Sequence, residues 1–234
     1  MANLVAIHQP NFFPWLGYFD KIRRAEIFVF LDDVDYPRSG SSGMGSWINR
    51  VRLPIQGHAQ WVTCPIKRLA RGQSILAAQI DDGQPWRKKM IRTLQVNYRK
   101  APQYEHAMDF LSSLIESAEG NLAAFNMSVI RAIAERIGVS ARFVRQSELT
   151  SEGQATERLI SLVKAVDGCA YLVGGGAKGY QDDDLIRGAG IDVVYQHYVP
   201  KCYGSPDRFL PGLSVIDYLM HDGRPLSEAF PDRS

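Results

Sequence analysis

The stretch LVAIHQPNFFPWLGYFDKIRRAEIFVFLDD, Leu4 to Asp33, runs from one apolar segment to another through a turn and a charged, helix-compatible segment. Leu4 to His8 has the length and apolar continuity of a buried strand. Pro10, Pro14 and Gly17 then punctuate the chain too heavily for an undisturbed strand or helix, so a sharp turn is expected there. A helix is expected from about Pro14 to Ala25, since a proline suits a first helical turn where its missing N–H has no partner to lose. Ile27 to Leu31 reads as a second strand, closed by Asp32 and Asp33. Strand, helix and strand make a parallel pair, and open parallel sheets bind ligands outside the carboxyl ends of their strands. His8, Gln9, Asp32 and Asp33 are therefore expected on one rim.

Outward from this unit the pattern stays alternating. Tyr36 to Trp61, with PRSGSSGMGS in it, has no periodicity and reads as a mobile loop. Gln60 to Ile66 and Ile75 to Ile80 are candidate strands. QPWRKKMIRTLQVNY places Trp86, Met90, Leu94 and Tyr98 on one helical face, leaving Arg87, Lys88, Lys89 and Arg92 as a solvated face or an anion site. Two helices are read next, one with Ala107, Leu111, Leu114 and Ala118 on a face, the other with Leu122, Phe125, Val129, Ile133 and Ile137. The second stops at Gly138, and together they suggest an αα-hairpin. SEGQATERLISLVKAV has Ser151 and Gln154 at capping-box spacing. CAYLV and DVVYQHY follow as strands of a second βαβ-like unit. The class expected is α/β, a Rossmann-like, mostly parallel sheet with a helical insertion. Residues 1–84 and 139–234 form the two parts of the α/β domain, and 85–138 form the insertion.

With 234 residues, 45% hydrophobic and 22% charged, the composition is that of a globular chain. A formal charge of +2 is too small to imply nucleic-acid binding by itself. There is no apolar run of membrane-spanning length, and the first residues show neither a basic n-region nor a small-residue cleavage site. A cytoplasmic protein is expected. Cys64, Cys169 and Cys202, odd in number and widely spread, fit reduced thiols.

Gly174, Gly176 and Gly179 satisfy G-x-G-x-x-G after a strand, where bare backbone can approach a phosphate. The next strand ends at Gln196 where a dinucleotide site usually has an acid, which favours a phosphate or carboxylate over NAD. Lys178 either adds charge to that turn or is a surface lysine. His58 with Cys64, and His197 with Cys202, lack zinc spacing, so no metal site is expected. Asp182, Asp183 and Asp184 read as a solvated helix start. Neither G-x-S-x-G nor a Cys-His signature is present. No cofactor is named by any of these patterns.

AIHQPNFFPWLGYFDKI, VFLDDVDY, WINRVRL, WVTCPIK, ATERLISLVKAV, YLVGGGAKGY and RFLPGLSVIDYL occur in that order. These blocks resemble the WbqC-like family of bacterial proteins over nearly the whole chain. The resemblance implies a place in surface-polysaccharide or small-molecule biosynthesis and an amino-acid (glycine-type) or acyl transferase activity. Val173-Gly174-Gly175-Gly176 replaces the family's usual Ser-Gly-Pro type turn, and the loop YPRSGSSGMGSWINR is longer than usual. A weaker, fold-level resemblance links the opening unit to HIGH-motif nucleotidyltransferases, whose paired histidines it lacks.

The expected function is an acyl- or aminoacyl-transferase acting on an amine of an amino sugar or related small molecule. Two other classes stay open, a nucleotide-binding adenylyltransferase or ligase and a non-catalytic partner of a biosynthetic complex. A homo-oligomer or a pathway partner is compatible with each. His8 is the expected base, oriented by Gln9 and Asn11, because an imidazole near its ordinary pKa can take a proton from an attacking ammonium. Trp15, Tyr18 and Tyr36 are expected to wall the substrate beside Asp20, Asp32 and Asp33. Asn49, Arg50 and Lys67 are expected to face Gly175, Lys178 and Tyr180 across one polar cleft. Arg50 and Lys178 there stabilise developing negative charge.

Overall fold

The structure, a computed structural model, describes residues 3–38, 46–175 and 181–230. In chain order the elements are β1 (Leu4–His8), α1 (Leu16–Arg24), β2 (Ile27–Phe30), β3 (Arg50–Ile55), β4 (His58–Thr63), α2 (Trp86–Tyr98), α3 (Tyr104–Ile115) and α4 (Leu122–Arg136). They continue with β5 (Arg142–Arg145), α5 (Ala155–Ala165), β6 (Ala170–Val173), α6 (Asp183–Gly188), β7 (Asp192–Tyr195), α7 (Val215–His221) and α8 (Leu226–Ala229). The chain divides into two compact units. A sheet unit comprises Met1–Gln9, Gly17–Asp33 and Val139–Val199; a helical unit comprises Pro10–Leu16, Val34–Gly138 and Pro200–Ser234.

The sheet unit holds a five-stranded sheet in the order β5-β2-β1-β6-β7, with every pairing parallel. This is the Rossmann-like α/β class expected. β1, β2 and β6 are nearly continuous apolar runs because both faces of a parallel sheet are covered. Alternation sorts their side chains. Val5, Ile7, Ile27, Val29, Tyr171 and Val173 share a core with Leu162 and Val163 of α5 and Ile186 of α6. Phe28 points the other way, with ring contacts to Tyr18 of α1 at 5.3 Å and to Phe30 at 5.3 Å. Strand order runs from β1 outward through β2 in one direction and through β6 in the other, so a topological switch point lies between β1 and β6.

The helical unit contains the hairpin β3–β4: β3 lies where a loop was expected from the lack of periodicity, and β4 overlaps the candidate strand Gln60 to Ile66. Its two-residue turn is Gln56-Gly57, with φ of +53° and +79°, the type of turn whose twist matches antiparallel strands. Residues 39–45 of the expected mobile loop lie outside the described residues. Ile75–Ala77 is a 3-10 turn, not a strand, and Ile80 makes only an isolated bridge to Ile66. α2 buries Trp86, Met90, Leu94 and Tyr98 as expected. In α3 the buried stripe is Ala107, Met108, Leu111 and Ile115, so Leu114 sits at its margin and Ala118 lies past the helix end. α3 packs on α2 and α7, and the helical hairpin is therefore α2–α3 and not α3–α4. α4 ends as expected before Gly138, whose φ is +66°. α5 starts only at Ala155, with Gln154 at its N-cap and no side-chain capping bond, so the Ser151–Gln154 box does not form.

The turn after β1 is held by long-range bonds within the helical unit. Buried Asn126 of α4 donates from Nδ2 to the carbonyls of Pro10 at 2.9 Å and Ile48 at 2.7 Å. Phe13 has a φ of +40°, a left-handed conformation unfavourable to a bulky L-residue, and its carbonyl accepts from Ser214 Oγ at 2.7 Å. No described helix is long and apolar enough to cross a membrane.

Candidate functional site

In the sheet unit the β1–β6 register pairs Leu4–Ala6 with Ala170–Leu172. One residue further on, the Ile7 carbonyl accepts from Lys21 Nζ at 2.9 Å. Lys21 is buried, 3% exposed, and its ammonium lies 5.9 Å from the Tyr171 ring centre. Burial penalises the charged form, and its pKa falls from the ordinary 10.5 to about 7. Gly174 lies beside it: a Cβ there would stand 3.8 Å from Lys21 Nζ and 3.9 Å from Gln196 Oε1. A buried amine that is partly neutral near pH 7 thus sits at the switch point.

His8, at the end of β1, is half-buried, with Nδ1 3.0 Å from the Gln9 carbonyl and its ring edge-on to Tyr18 at 4.7 Å. A neutral ring bonded this way carries its proton on Nδ1 and its lone pair on Nε2. Burial first, and then the Lys21 charge, lower the His8 pKa to about 3. The near-ordinary pKa expected of His8 is therefore not what its surroundings give. Tyr18 is buried and donates from its hydroxyl to the Gln9 carbonyl at 3.0 Å. Gln9 enters these contacts through its backbone.

Two of the three acids of the expected aromatic-walled site, Asp20 and Asp32, are already engaged. Asp20 accepts from Gln196 Nε2 at 2.9 Å and pairs with Arg23 at 3.3 Å and Arg24 at 3.0 Å. Asp32, fully buried, takes Arg145 Nε at 3.0 Å, Ser147 N at 3.0 Å and Ser147 Oγ at 2.8 Å, which joins the end of β2 to the end of β5. Asp33 is exposed. Asp182 caps α6 through Asp184 N and Leu185 N. Gly175 is exposed; Lys178 and Tyr180, with Gly176 and Gly179 of the glycine motif, lie outside the described residues.

Trp15, Asn11, Tyr36, Asn49, Arg50 and Lys67 belong to the helical unit. Trp15 is 5.6 Å from Trp47, which is 4.8 Å from Trp61. Asn11 is buried and Lys67 exposed. Tyr36, Arg38, Ser46, Asn49, Arg50 and Arg71 line one cavity of about 560 Å³. The structure thus brings Tyr36, Asn49 and Arg50 together. Burial pushes the Tyr36 phenol up to about 12, so it remains a donor at neutral pH. Cys64, fully buried, is likewise pushed up to about 12, which keeps its thiol protonated.

Two clusters escaped the sequence reading. Lys21 sat in the quoted opening stretch, where its one signal was a helical position three residues after Tyr18, on the apolar side. The other lines a cavity of about 410 Å³ in the helical unit. There Asp217 accepts from Tyr98 Oη at 2.9 Å, and His221 Nδ1 is 2.9 Å from the Asp217 carbonyl. Among the described residues no three His, Cys, Asp or Glu side chains converge as a metal site.

The WbqC-like protein family model matches residues 9–228. The chain is 29% identical over 225 residues to "Uncharacterized protein Rv1507c" of Mycobacterium tuberculosis, covering 94% of each chain. No solved structure matches. With the family model spanning nearly the whole chain, this protein belongs to the WbqC-like protein family.

Proposed function

We propose that this protein is a transferase that acylates or aminoacylates an amine on an amino sugar or related small molecule, with Lys21 as the base. The observation that carries the reading is the buried Lys21 amine at the β1–β6 switch point, bonded to the Ile7 carbonyl, with a pKa of about 7. An amine acceptor arrives as an ammonium and must lose a proton before it can attack. A base matched to neutral pH does this best, and such a group contributes about 10²- to 10⁴-fold. Lys21 Nζ takes the ammonium proton and hands it on to water, the freed nitrogen attacks the acyl carbonyl, and Lys21 takes the second proton from that nitrogen as the intermediate collapses to the amide. The proton returns from Lys21 to the departing donor group.

A nucleotide-using ligase is the second reading, favoured by the arginine-lined cavity of the helical unit. The test is product mass. The protein is incubated with a panel of amino-sugar acceptors and acyl thioester or aminoacyl donors, with and without ATP, and products are read by mass spectrometry. An acyl mass gain without ATP, lost in Lys21→Met, supports the transferase. A gain that requires ATP and releases AMP selects the ligase, and a gain unchanged in Lys21→Met removes Lys21 from the chemistry.

A further inference from the structure

We propose that the cavity formed by Tyr36, Arg38, Ser46, Asn49, Arg50 and Arg71 is a binding site for the phosphate or pyrophosphate group of a small molecule. It stands on observations separate from Lys21. Three of its lining residues are arginines and none is a carboxylate, so its described wall carries positive charge with no internal counter-charge. Arg50 is the centre of the case. Its Nε and Nη2 are buried and have no hydrogen-bond partner among the described residues. Those two nitrogens lie on one edge of the guanidinium and present parallel N–H bonds, the fork that matches two oxygens of one anion.

The fork is also fixed in place. The Arg50 guanidinium carbon lies 4.2 Å from the Trp61 ring centre, and the indole holds the plane while leaving the donor edge unused. A buried, unpaired charged donor is costly, and a bound anion removes that cost by supplying acceptors. The neighbours complete the chemistry. Arg38 is anchored by Nη2 bonds to the Leu69 and Ala70 carbonyls at 2.5 and 2.7 Å, which fixes its charge in position. Asn49 spends Nδ2 on the Cys64 carbonyl at 3.0 Å, and Tyr36 and Ser46 supply hydroxyls. Three permanent charges suit a di- or polyanion better than a single carboxylate, which one fork would satisfy.

Pyrophosphate, inorganic phosphate and acetate serve as probes, titrated into the full chain at constant ionic strength. Binding is followed by calorimetry and by the fluorescence of the tryptophan stacked on Arg50. Pyrophosphate is expected to bind and acetate not to. Arg50→Lys should weaken pyrophosphate binding by about tenfold or more, because an ammonium keeps the charge and loses the fork. Arg71→Ala, at an exposed position, should weaken it by a smaller factor without touching the core, which keeps the test open if Arg50→Lys fails to fold. Lys21→Met should bind pyrophosphate like the parent, so failure of the transferase reading leaves this result interpretable. Absence of pyrophosphate binding, equal binding of acetate, or an affinity unchanged in both arginine variants would overturn the site.

Discussion

The two units treat buried cationic groups in opposite ways. In the sheet unit, Lys21 and His8 are placed where burial drives charge off them, down to pKa values of about 7 and about 3. In the helical unit the cationic groups that line the 560 Å³ cavity are arginines, which cannot shed charge at any pH a protein survives, and Arg50 keeps a buried donor edge unpaired among the described residues. A site of the first kind can move protons. A site of the second can only hold anions. On the two proposals above, the residue types divide the work before any substrate is known, chemistry on the sheet rim and charge recognition in the arginine cavity.

Four substitutions sharpen or break this contrast. Lys21→Met should give the largest effect, a loss of turnover of about 10³-fold in the acyl-transfer assay. The same variant should be more stable at pH 7, by about 3 kcal/mol in urea unfolding, since a buried ammonium no longer has to be accommodated. The sign follows from the lowered pKa: between about 7 and 10.5 the unfolded chain holds the proton that the folded chain releases, so parent stability climbs with pH across that window. The variant's advantage should be gone by about pH 10.5, the unfolded-state value. A constant advantage at pH 7 and pH 10 would mean that the lysine is not titrating in the fold.

Asp32→Ala comes next. Removing the fully buried acceptor of Arg145 and Ser147 should destabilise the protein by about 3 kcal/mol in the same denaturation, reduced somewhat because Arg145 is partly exposed. A loss of only a few tenths would show that the β2–β5 rim is not held by this carboxylate. Smaller again is the acid sensitivity from His8. Its folded pKa is depressed, so its contribution is complete above the ordinary 6.5 and is lost as pH falls towards about 3. His8→Asn should lessen the fall in stability between pH 7 and pH 4 by about 2 kcal/mol. An unchanged slope would place the acid response elsewhere. Least of all, Gly57→Ala in the hairpin turn, at a φ of +79°, should cost about 1 kcal/mol by calorimetric melting and leave the sheet-rim chemistry intact.

Legibility in the sequence differed between the same two regions. β1, α1 and β2 could be read because strand and helix periods alternate there and both strands are buried on two faces. β3 and the hairpin it makes with β4 could not, because Gln56-Gly57 is not among the strongest hairpin dipeptides and the outward face of β4 is exposed, Trp61 included at 41%. Lys21 was passed over because a lysine inside a helix normally marks the solvent side. Asp20 and Asp32 drew attention as free carboxylates because sequence does not show their partners: Arg145 and Ser147 arrive over a hundred positions after Asp32. Arg50 could be singled out for its chemistry, but only the coordinates place Tyr36 and Asn49 around its cavity.

β1 is the central strand of the sheet, and its two neighbours come from very different places in the chain. β2 follows at once, whereas the β6 residues that pair with Leu4–Ala6 begin at Ala170. At ~5–20 residues per second, synthesis delivers that partner roughly 10 to 30 seconds after β1 has left the ribosome. Through that interval one side of a nearly all-apolar strand has its backbone donors and acceptors open, the condition that invites pairing with another chain. The switch-point crevice thus closes late, with only the β6–β7 seam after it, and a nascent chain stalled before residue 170 exposes one side of its central strand to aggregation.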